Sequence, residues 1–229
     1  MKSKVLMVSD NRSVKEVEDI NSFIGSNNVS TSYSIAKMLW FKGQGLLEKD
    51  TLVLGANEWL NYKFTGEFFI DPLNASKFII ENQKYYADLL NNFDLKISFL
   101  PEIVPIGTSF SLKNDFKNLF NENCEFILTT YDAICAVMGS FSGENGNYCD
   151  VSGTVTSVRT ILSLDQSIQS EGSILEQEMP NFKIKLAGHS NNMGGGLLEW
   201  LRQTFYSDIE TDNVYPFINE SVQNKERTN

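Results

Sequence analysis

The chain has 229 residues, of which 41% are hydrophobic, 21% charged and 12% aromatic. This composition is that of an ordinary globular protein and excludes a disordered or collagen-like chain. Nineteen lysines and arginines stand against 29 acidic residues, which gives a net charge of −10. Because so acidic a surface repels phosphate backbones and anionic lipids, we expect no nucleic acid and no membrane as principal partner, although backbone amides can still bind a small anion.

The first residues and the cysteines favour a cytoplasmic protein. The apolar stretch 5–8 is too short for the core of a signal peptide, and no run long enough to span a bilayer follows it. The three cysteines, Cys124, Cys135 and Cys149, are odd in number and widely spaced. We therefore expect reduced thiols that pack as small buried residues, and no metal site.

The first half of the chain alternates short apolar segments with helical patterns. Residues 4–8 are predicted to form a buried strand, and Ser13-x-x-Glu16 has the form of a capping box at the start of a helix that ends near Gly25. Further helices are predicted over residues 34–42, 57–63, 75–80, 83–91 and 133–138, and a strand over residues 125–129.

The second half begins after the strongest turn signal of the chain, at residues 143–147. Strands are predicted over 148–152 and 155–162, on either side of Gly153-Thr154, which is compatible with a hairpin. A polar stretch over 165–178 precedes a strand at 182–186. A glycine-rich segment, Gly194-Gly195-Gly196, then starts a helix that runs through Trp200.

Seven short patterns occur along the chain in one order. They are DNR at 10–12, SIAKMLWF at 34–41, WLNYKFTGE at 59–67, DPLNAS at 71–76, TYDAICAVMG at 130–139, SGT at 152–154 and NNMGGGLLEWLR at 191–202. In this order they resemble the motifs of the FGGY family of carbohydrate kinases. The resemblance covers residues 4 to about 205, and the second pattern departs from the family signature at Gly43.

The resemblance implies an α/β protein with an actin-like, ribonuclease H-like ATPase fold, in which parts of two lobes flank a cleft. Residues 1–140 would be the C-terminal portion of the sugar-binding domain, and residues 141–229 the N-terminal portion of the nucleotide-binding domain. The implied activity is ATP- and Mg²⁺-dependent phosphorylation of a hydroxyl of a sugar, sugar acid or polyol.

The implied substrate is of the pentulose or gluconate class. Residues 158–161 and the pair Asn191-Asn192 look like gluconate kinases, whereas the DPLNAS stretch resembles xylulose and glycerol kinases. Ser32 stands where glycerol kinases have a tyrosine that contacts glycerol, which argues against glycerol.

Asp132 matches the catalytic aspartate of the family and is therefore a candidate for both catalysis and substrate binding. At a strand-to-helix junction, a carboxylate can accept the proton of a substrate hydroxyl while the helix N-terminus favours its charged form. The residues by themselves also allow a purely structural role as a helix N-cap.

Gly153, Thr154, Gly195 and Glu199 match the family's nucleotide-binding positions. Gly153 permits close approach of the backbone and Thr154 adds a hydroxyl, so the turn can present several donors to phosphate oxygens. The structural alternatives are an ordinary β-turn and tight helix packing. Trp200 is expected in the core.

Two groups of polar residues have both a structural and a binding interpretation. Asp10 and Arg12 are predicted either to bind substrate in the sugar pocket or to form an internal ion pair. Asp71, Asn74 and Ser76 are expected to organise a turn and a helix start first, and any role in the pocket is secondary. Lys37 is expected to pair with a carboxylate.

The family's D-x-G-T-T turn, which holds phosphate and magnesium, and its later glycine-rich adenosine segment are not among these residues. We therefore expect an internal part of a kinase-like chain with little unaided activity, whose partner is a second copy or a complementary fragment. The alternative is a non-catalytic interaction or regulatory protein on a truncated kinase scaffold. The kinase interpretation requires that Asp132 and the turn at residues 153–154 face one groove.

Overall fold

The computed structural model describes residues 5–117, 119–121, 123–140, 148–153, 156–169, 174–179, 183–191 and 194–223. The chain divides into two compact units, Met1–Cys135 and Ala136–Asn229. Each unit has helices and strands of its own. No described helix is both long and apolar enough to cross a membrane.

The first unit is built on helices around an apolar core. Its helices are α1 (Val14–Ile24), α2 (Ser34–Gly43), α3 (Ala56–Thr65), α4 (Pro72–Ala75), α5 (Ala87–Asn92) and α6 (Asn114–Lys117), with single 3₁₀ turns at Ser76–Phe78 and Ile97–Phe99. Helix α7 (Asp132–Ser140) starts in this unit. Ile20 of α1, Ile35 and Met38 of α2 and Leu89 of α5 are completely buried in one cluster, which holds these three helices together.

Short strand pairs complete the first unit. They are β1 (Phe69–Ile70) with β4 (Glu102–Ile103) in parallel, and the antiparallel pairs β2 (Ile80–Glu81) with β3 (Lys84–Tyr85) and β5 (Ser109–Ser111) with β6 (Glu125–Ile127). The ring of Phe69 stacks on that of Phe110 with centroids 3.7 Å apart, which ties β1 to β5.

The helices predicted over 34–42 and 57–63 are confirmed as α2 and α3, and the strand predicted over 125–129 is confirmed as β6. The helix predicted over 75–80 is wrong, because these residues form a 3₁₀ turn and enter β2, and the helix predicted over 83–91 forms only from Ala87, after β3. Helix α1 ends at Gly25, whose φ of 67° is the left-handed conformation that glycine adopts without strain. The predicted strand at residues 4–8 is wrong: residues 5–8 form no strand, and Val5, Met7 and Val8 are 67–74% exposed. The physical reason is that no described strand pairs with this segment, and a strand persists only where its backbone groups have partners.

The predicted capping box at the start of α1 is not formed. The Ser13 side chain makes no capping hydrogen bond, and its φ and ψ of −90° and 27° lie outside the extended geometry of a typical N-cap. Ser13 Oγ and Glu16 Oε2 are both buried without a hydrogen-bond partner. The helix is therefore held by its buried apolar face rather than by its cap.

The second unit is a four-stranded antiparallel sheet with two helices. The strands are β7 (Tyr148–Ser152), β8 (Thr156–Ser163), β9 (Leu175–Met179) and β10 (Ile184–Asn191), in the order β7-β8-β10-β9, and the helices are α8 (Gly195–Phe205) and α9 (Thr211–Gln223). The predicted hairpin is confirmed, because Ser152 pairs with Thr156 across the turn. Strand β9 falls inside the stretch that sequence reasoning took as a polar connection, where acidic side chains mask the strand pattern.

Three expectations about burial are corrected. Cys149 is buried as expected, but Cys124 and Cys135 are exposed; all three are free thiols. Trp200 is 50% exposed rather than in the core. It lies on α8 together with other large apolar side chains that are exposed, such as Leu198 and Phe205. The predicted turn at residues 143–147 lies outside the described residues.

Candidate functional site

Asp132 is the first residue of α7, and its side chain is exposed. Its Oδ1 accepts a hydrogen bond from the N–H of Ala133 at 2.8 Å. An N-cap side chain instead accepts from the second or third residue of the helix. The carboxylate therefore keeps most of its accepting capacity, as a general base requires.

Asp71, unlike Asp132, is a helix N-cap whose side chain accepts hydrogen bonds from the first turn of α4. Its Oδ1 accepts from the N–H groups of Leu73 and Asn74 at 3.0 and 3.2 Å, and its Oδ2 accepts from Asn74 Nδ2 at 2.7 Å. Asp71 is 1% exposed. The expectation that Asp71 and Asn74 organise a turn and a helix start is confirmed, and the saturated carboxylate has little capacity left for a ligand.

Asp10 and Arg12 form an internal ion pair. Arg12 Nε donates to Asp10 Oδ1 at 3.0 Å and Arg12 Nη2 donates to Oδ2 at 2.7 Å, while the guanidinium lies 4.6 Å from the centre of the Trp40 ring. These hydrogen bonds from Arg12 lower the pKa of Asp10 to about 2. Of the two predicted roles, the structural one is formed. The Arg12 side chain remains 55% exposed, so its outer edge is open to a ligand.

Lys37 lies against the same segment but not as predicted. Its Nζ donates to the backbone carbonyl of Asp10 at 2.9 Å, rather than to a carboxylate. Desolvation lowers its pKa from the ordinary value. The expected carboxylate pairing is therefore wrong, because the carboxylate of Asp10 is turned toward Arg12 instead.

In the second unit, two of the predicted nucleotide-binding glycines are in direct contact. Gly195, the first residue of α8, donates its N–H to the carbonyl of Gly153 in the β7–β8 turn at 2.6 Å. A Cβ on Gly195 would lie 3.2 Å from that carbonyl oxygen, so the approach depends on glycine. The start of a helix and a glycine turn, both rich in backbone amides, are thus brought together, which is a typical arrangement for binding phosphate. Thr154 lies outside the described residues.

Glu199 is surrounded by donors from its own unit. Its Oε1 accepts from Arg202 Nη2 at 2.6 Å and from Gln203 Nε2 at 2.7 Å, and its Oε2 accepts from Arg202 Nε at 2.9 Å and from Tyr215 Oη at 3.0 Å. These hydrogen bonds, chiefly those of Arg202, lower its pKa to about 2. A carboxylate has about four accepting positions, and in Glu199 donors of its own chain occupy all of them. Through Tyr215, Glu199 also links α8 to α9.

Sequence reasoning assigned no role to a cluster on strands β8 and β10. Arg159 Nε donates to Ser157 Oγ at 2.8 Å and Arg159 Nη2 donates to Ser190 Oγ at 3.3 Å, while Ser190 Oγ donates to Ser157 Oγ at 3.0 Å. Ser157 and Ser190 are directly opposite each other in the sheet. The sequence signals were an arginine within a strand and the resemblance of residues 158–161 to gluconate kinases, neither of which indicated these contacts.

Sequence reasoning also missed a buried carboxyl group in the first unit. Glu58 of α3 is 4% exposed, and its Oε1 has no hydrogen-bond partner. Burial raises the pKa of Glu58 to about 7, and the nearby charge of Asp71 adds to the rise. Glu58 lines a cavity of about 170 Å³ together with Ser34 and Asn74.

Among the residues that the structure describes, no group of three His, Cys, Asp or Glu side chains could hold a metal ion.

Neither a scan against protein-family models nor a comparison with curated protein sequences found a match. Solved structures do match. The xylulose kinase from Rhodospirillum rubrum aligns with a TM-score of 0.79 at 15% identity, over 96% of this chain and 48% of that one. The gluconate kinase from Lactobacillus acidophilus gives 0.74 at 20% identity, over 94% and 47%. The glycerol kinase from Plasmodium falciparum, solved with ADP, gives 0.66 at 18% identity, over 90% and 46%.

The chain therefore has the fold of FGGY sugar kinases, and the predicted actin-like, ribonuclease H-like α/β class is confirmed. It spans about half the length of the kinases that it matches, 46–48% in these three cases. At 15–20% identity the likeness establishes the fold, whereas the chemistry has to be argued from the side chains.

Proposed function

We propose that this chain is the part of an ATP-dependent carbohydrate kinase that carries the catalytic base and a glycine-lined nucleotide site. The observation that carries this proposal is the contact between Gly195 and Gly153, since it joins the two segments that the sequence pattern assigns to the nucleotide. The sugar-kinase fold supports the same conclusion.

Asp132 acts as the general base of the transfer. Its carboxylate accepts the proton of the substrate hydroxyl, the hydroxyl oxygen attacks the terminal phosphorus, and the bond from that phosphorus to the bridging oxygen breaks to release ADP. The exposed position of Asp132 and its single hydrogen bond to Ala133 support this role.

The nucleotide phosphates bind to backbone amides around Gly153, Thr154 and Gly195. Gly195 already donates its N–H to Gly153, so the fit to a phosphate group rests on the neighbouring backbone at the start of α8, where a Cβ on Gly196 would meet nothing within 4 Å. Glu199 serves this site by fixing α8 through Arg202 and Tyr215 rather than by touching phosphate. Bound Mg²⁺ would neutralise phosphate charge during the transfer.

The substrate is a sugar, sugar acid or polyol of the pentulose or gluconate class. Arg12 supports this assignment because its outer edge is exposed while Asp10 holds the guanidinium in place. A fixed guanidinium donates paired hydrogen bonds to hydroxyl or carboxylate oxygens. Asp132 contacts the reacting hydroxyl of the same substrate.

The proposal is tested by nucleotide binding followed by phosphoryl transfer. We expect the purified chain to bind ADP, and we expect ADP to form from ATP and Mg²⁺ only when xylulose or gluconate is added, even if slowly. Asp132→Asn should abolish that sugar-dependent release and leave ADP affinity unchanged. Asp115→Asn, which removes an exposed carboxylate from the first turn of α6, is the matched control and should behave like the wild type.

A chain that binds no nucleotide would overturn the proposal and favour a non-catalytic interaction protein on the same scaffold. Sugar-dependent release that survives in Asp132→Asn would overturn the assignment of the base.

A further inference from the structure

The arginines of this acidic chain differ in their partners. Of four arginines, three lie among the described residues. Arg12 and Arg202 each form two hydrogen bonds to a single carboxylate, on Asp10 and Glu199 respectively. Arg159 instead contacts two serine hydroxyls, and no ion pair joins it to any described carboxylate. Its positive charge is therefore not neutralised within the part of the chain that the structure describes.

The guanidinium of Arg159 lies toward the turn between β7 and β8. Its Nε bonds to Ser157, two residues earlier on the same strand, so the side chain runs back along β8 toward that turn. Ser157 follows Thr156, which pairs with Ser152 to close the hairpin. At about 3.3 Å per residue, the charge lies within about 7 Å of that closing pair. Gly153, which contacts Gly195, is the next residue after Ser152 of that closing pair.

Gly188 makes room for this arrangement. It pairs with Arg159 across β8 and β10, and a Cβ there would lie 3.0 Å from Arg159 Cγ and would collide with the carbonyl of Val158. The arginine therefore crosses its neighbouring strand where that strand has no side chain.

One hydroxyl proton and part of the guanidinium are not used in these contacts. Ser190 donates its proton to Ser157 Oγ, which also accepts from Arg159, so the unused proton is that of Ser157, a residue only 7% exposed. The guanidinium has five N–H groups, of which two are used in these contacts. Arg159 and Ser190 are only partly buried, so the free N–H groups can be reached from solvent.

We propose that Arg159, with Ser157 and Ser190, forms an anion site that binds a phosphate group, and that this group belongs to the nucleotide held at Gly153 and Gly195. The inference rests on the proposed function for the source of the phosphate, but the anion site itself does not. The unneutralised guanidinium with its unused N–H groups, the unused hydroxyl proton of Ser157 and the neighbouring glycine turn together define a phosphate subsite, in which Ser190 holds the arginine in place.

The test measures binding of ADP, adenosine and inorganic phosphate to the intact chain by calorimetry. We expect Arg159→Gln to weaken ADP binding about 10- to 100-fold, because a charge-assisted pair of hydrogen bonds is lost. Adenosine binding should be unchanged. Arg159→Lys should give an intermediate loss of ADP affinity, because the positive charge stays while the paired N–H donors of the guanidinium are lost.

Lys183→Gln is the matched control. It removes one positive charge from an exposed side chain of the same unit, at the opposite end of β10, about 23 Å along the strand from Ser190. We expect wild-type ADP affinity from this variant. Far-ultraviolet circular dichroism checks that each variant is folded, and Arg159→Lys decides the matter if Arg159→Gln does not fold.

The outcomes separate this inference from the proposed function. Wild-type ADP affinity in a folded Arg159 variant overturns the anion site and leaves the nucleotide site standing. Equal losses for ADP and adenosine also overturn it, since they indicate a structural arginine. If the wild type binds inorganic phosphate through Arg159 but no nucleotide, the anion site stands and the proposed function fails. If it binds neither ADP nor phosphate, both are overturned.

Discussion

The backbone N–H of Gly195 donates to the carbonyl of Gly153 at 2.6 Å, which joins the start of α8 to the turn between β7 and β8. The two glycines are far apart in sequence and belong to separate motifs. Their contact is made by backbone atoms alone.

Gly195→Ala should weaken ADP binding and destabilise the chain. The added Cβ would meet a backbone carbonyl at 3.2 Å, which cannot swing aside like a flexible side chain. We expect a loss of about 1–3 kcal/mol in the free energy of unfolding, measured by urea denaturation. Gly196→Ala is the control: its Cβ would meet nothing within 4 Å, and alanine favours the helix by about 0.5–1 kcal/mol. A stable Gly195→Ala with unchanged ADP affinity would contradict the tight contact.

Asp71→Ala should destabilise the first unit, whereas Asp132→Ala should hardly change its stability. Asp71 is buried and accepts three hydrogen bonds at the start of α4. Losing such a cap costs about 1–2 kcal/mol. Asp132 is exposed and accepts one bond from Ala133, so we expect a loss below about 0.5 kcal/mol. Thermal unfolding of both variants provides the comparison, and equal losses would make Asp132 a cap as well.

Glu58 should make the protein less stable as the pH rises. Burial raises its pKa in the folded state to about 7, above the ordinary value of 4.5, so between these values the unfolded chain ionises while the folded chain stays protonated. The stability from Glu58 is complete below about pH 4.5 and is lost by about pH 7, a change of about 3 kcal/mol.

Glu58→Gln should remove this pH dependence, because an amide does not titrate. We expect the variant to be more stable than the wild type at pH 8 and nearly equal to it at pH 4.5, in urea denaturation at the two pH values. Parallel pH profiles for the two proteins would show that Glu58 is ionised throughout.

Lys185 and Glu176 form an ion pair, and removing one partner should lower the melting temperature more than removing the other. Lys185 Nζ lies 3.0 Å from Glu176 Oε2, and the lysine side chain is 9% exposed while that of the glutamate is 28% exposed. Among the described residues, Glu176→Ala leaves the buried charge of Lys185 with a hydrogen bond to Ser167 and the nearby charge of Asp165, whereas Lys185→Met leaves a carboxylate that water can reach. We expect Glu176→Ala to lower the melting temperature more; the reverse order would contradict the buried position of Lys185.

Local signals predicted much of this fold. Helix α1 ends at Gly25 because glycine alone adopts the left-handed C-cap without strain, and the β7–β8 hairpin follows from two alternating segments around one glycine turn. Such features depend on neighbours in sequence. The order of the seven motifs predicted the fold class in the same way, without any contact being known.

The strand predicted at residues 4–8 shows the limit of that reasoning, since a strand requires a partner that local sequence does not specify. The same holds for the candidate site. Sequence alone placed Gly153 and Gly195 in separate motifs and gave Arg159 no role.

By itself, then, the sequence determined where helices end and where the hairpin turns, because these depend on short-range backbone preferences, and its resemblance to a known family indicated the fold class. Only the tertiary structure decided that Gly195 touches Gly153, that Lys37 donates to the backbone carbonyl of Asp10 and that Glu58 is buried while Asp132 is exposed. Contacts and burial arise between segments distant along the chain, and the charge state of a carboxyl group follows from both.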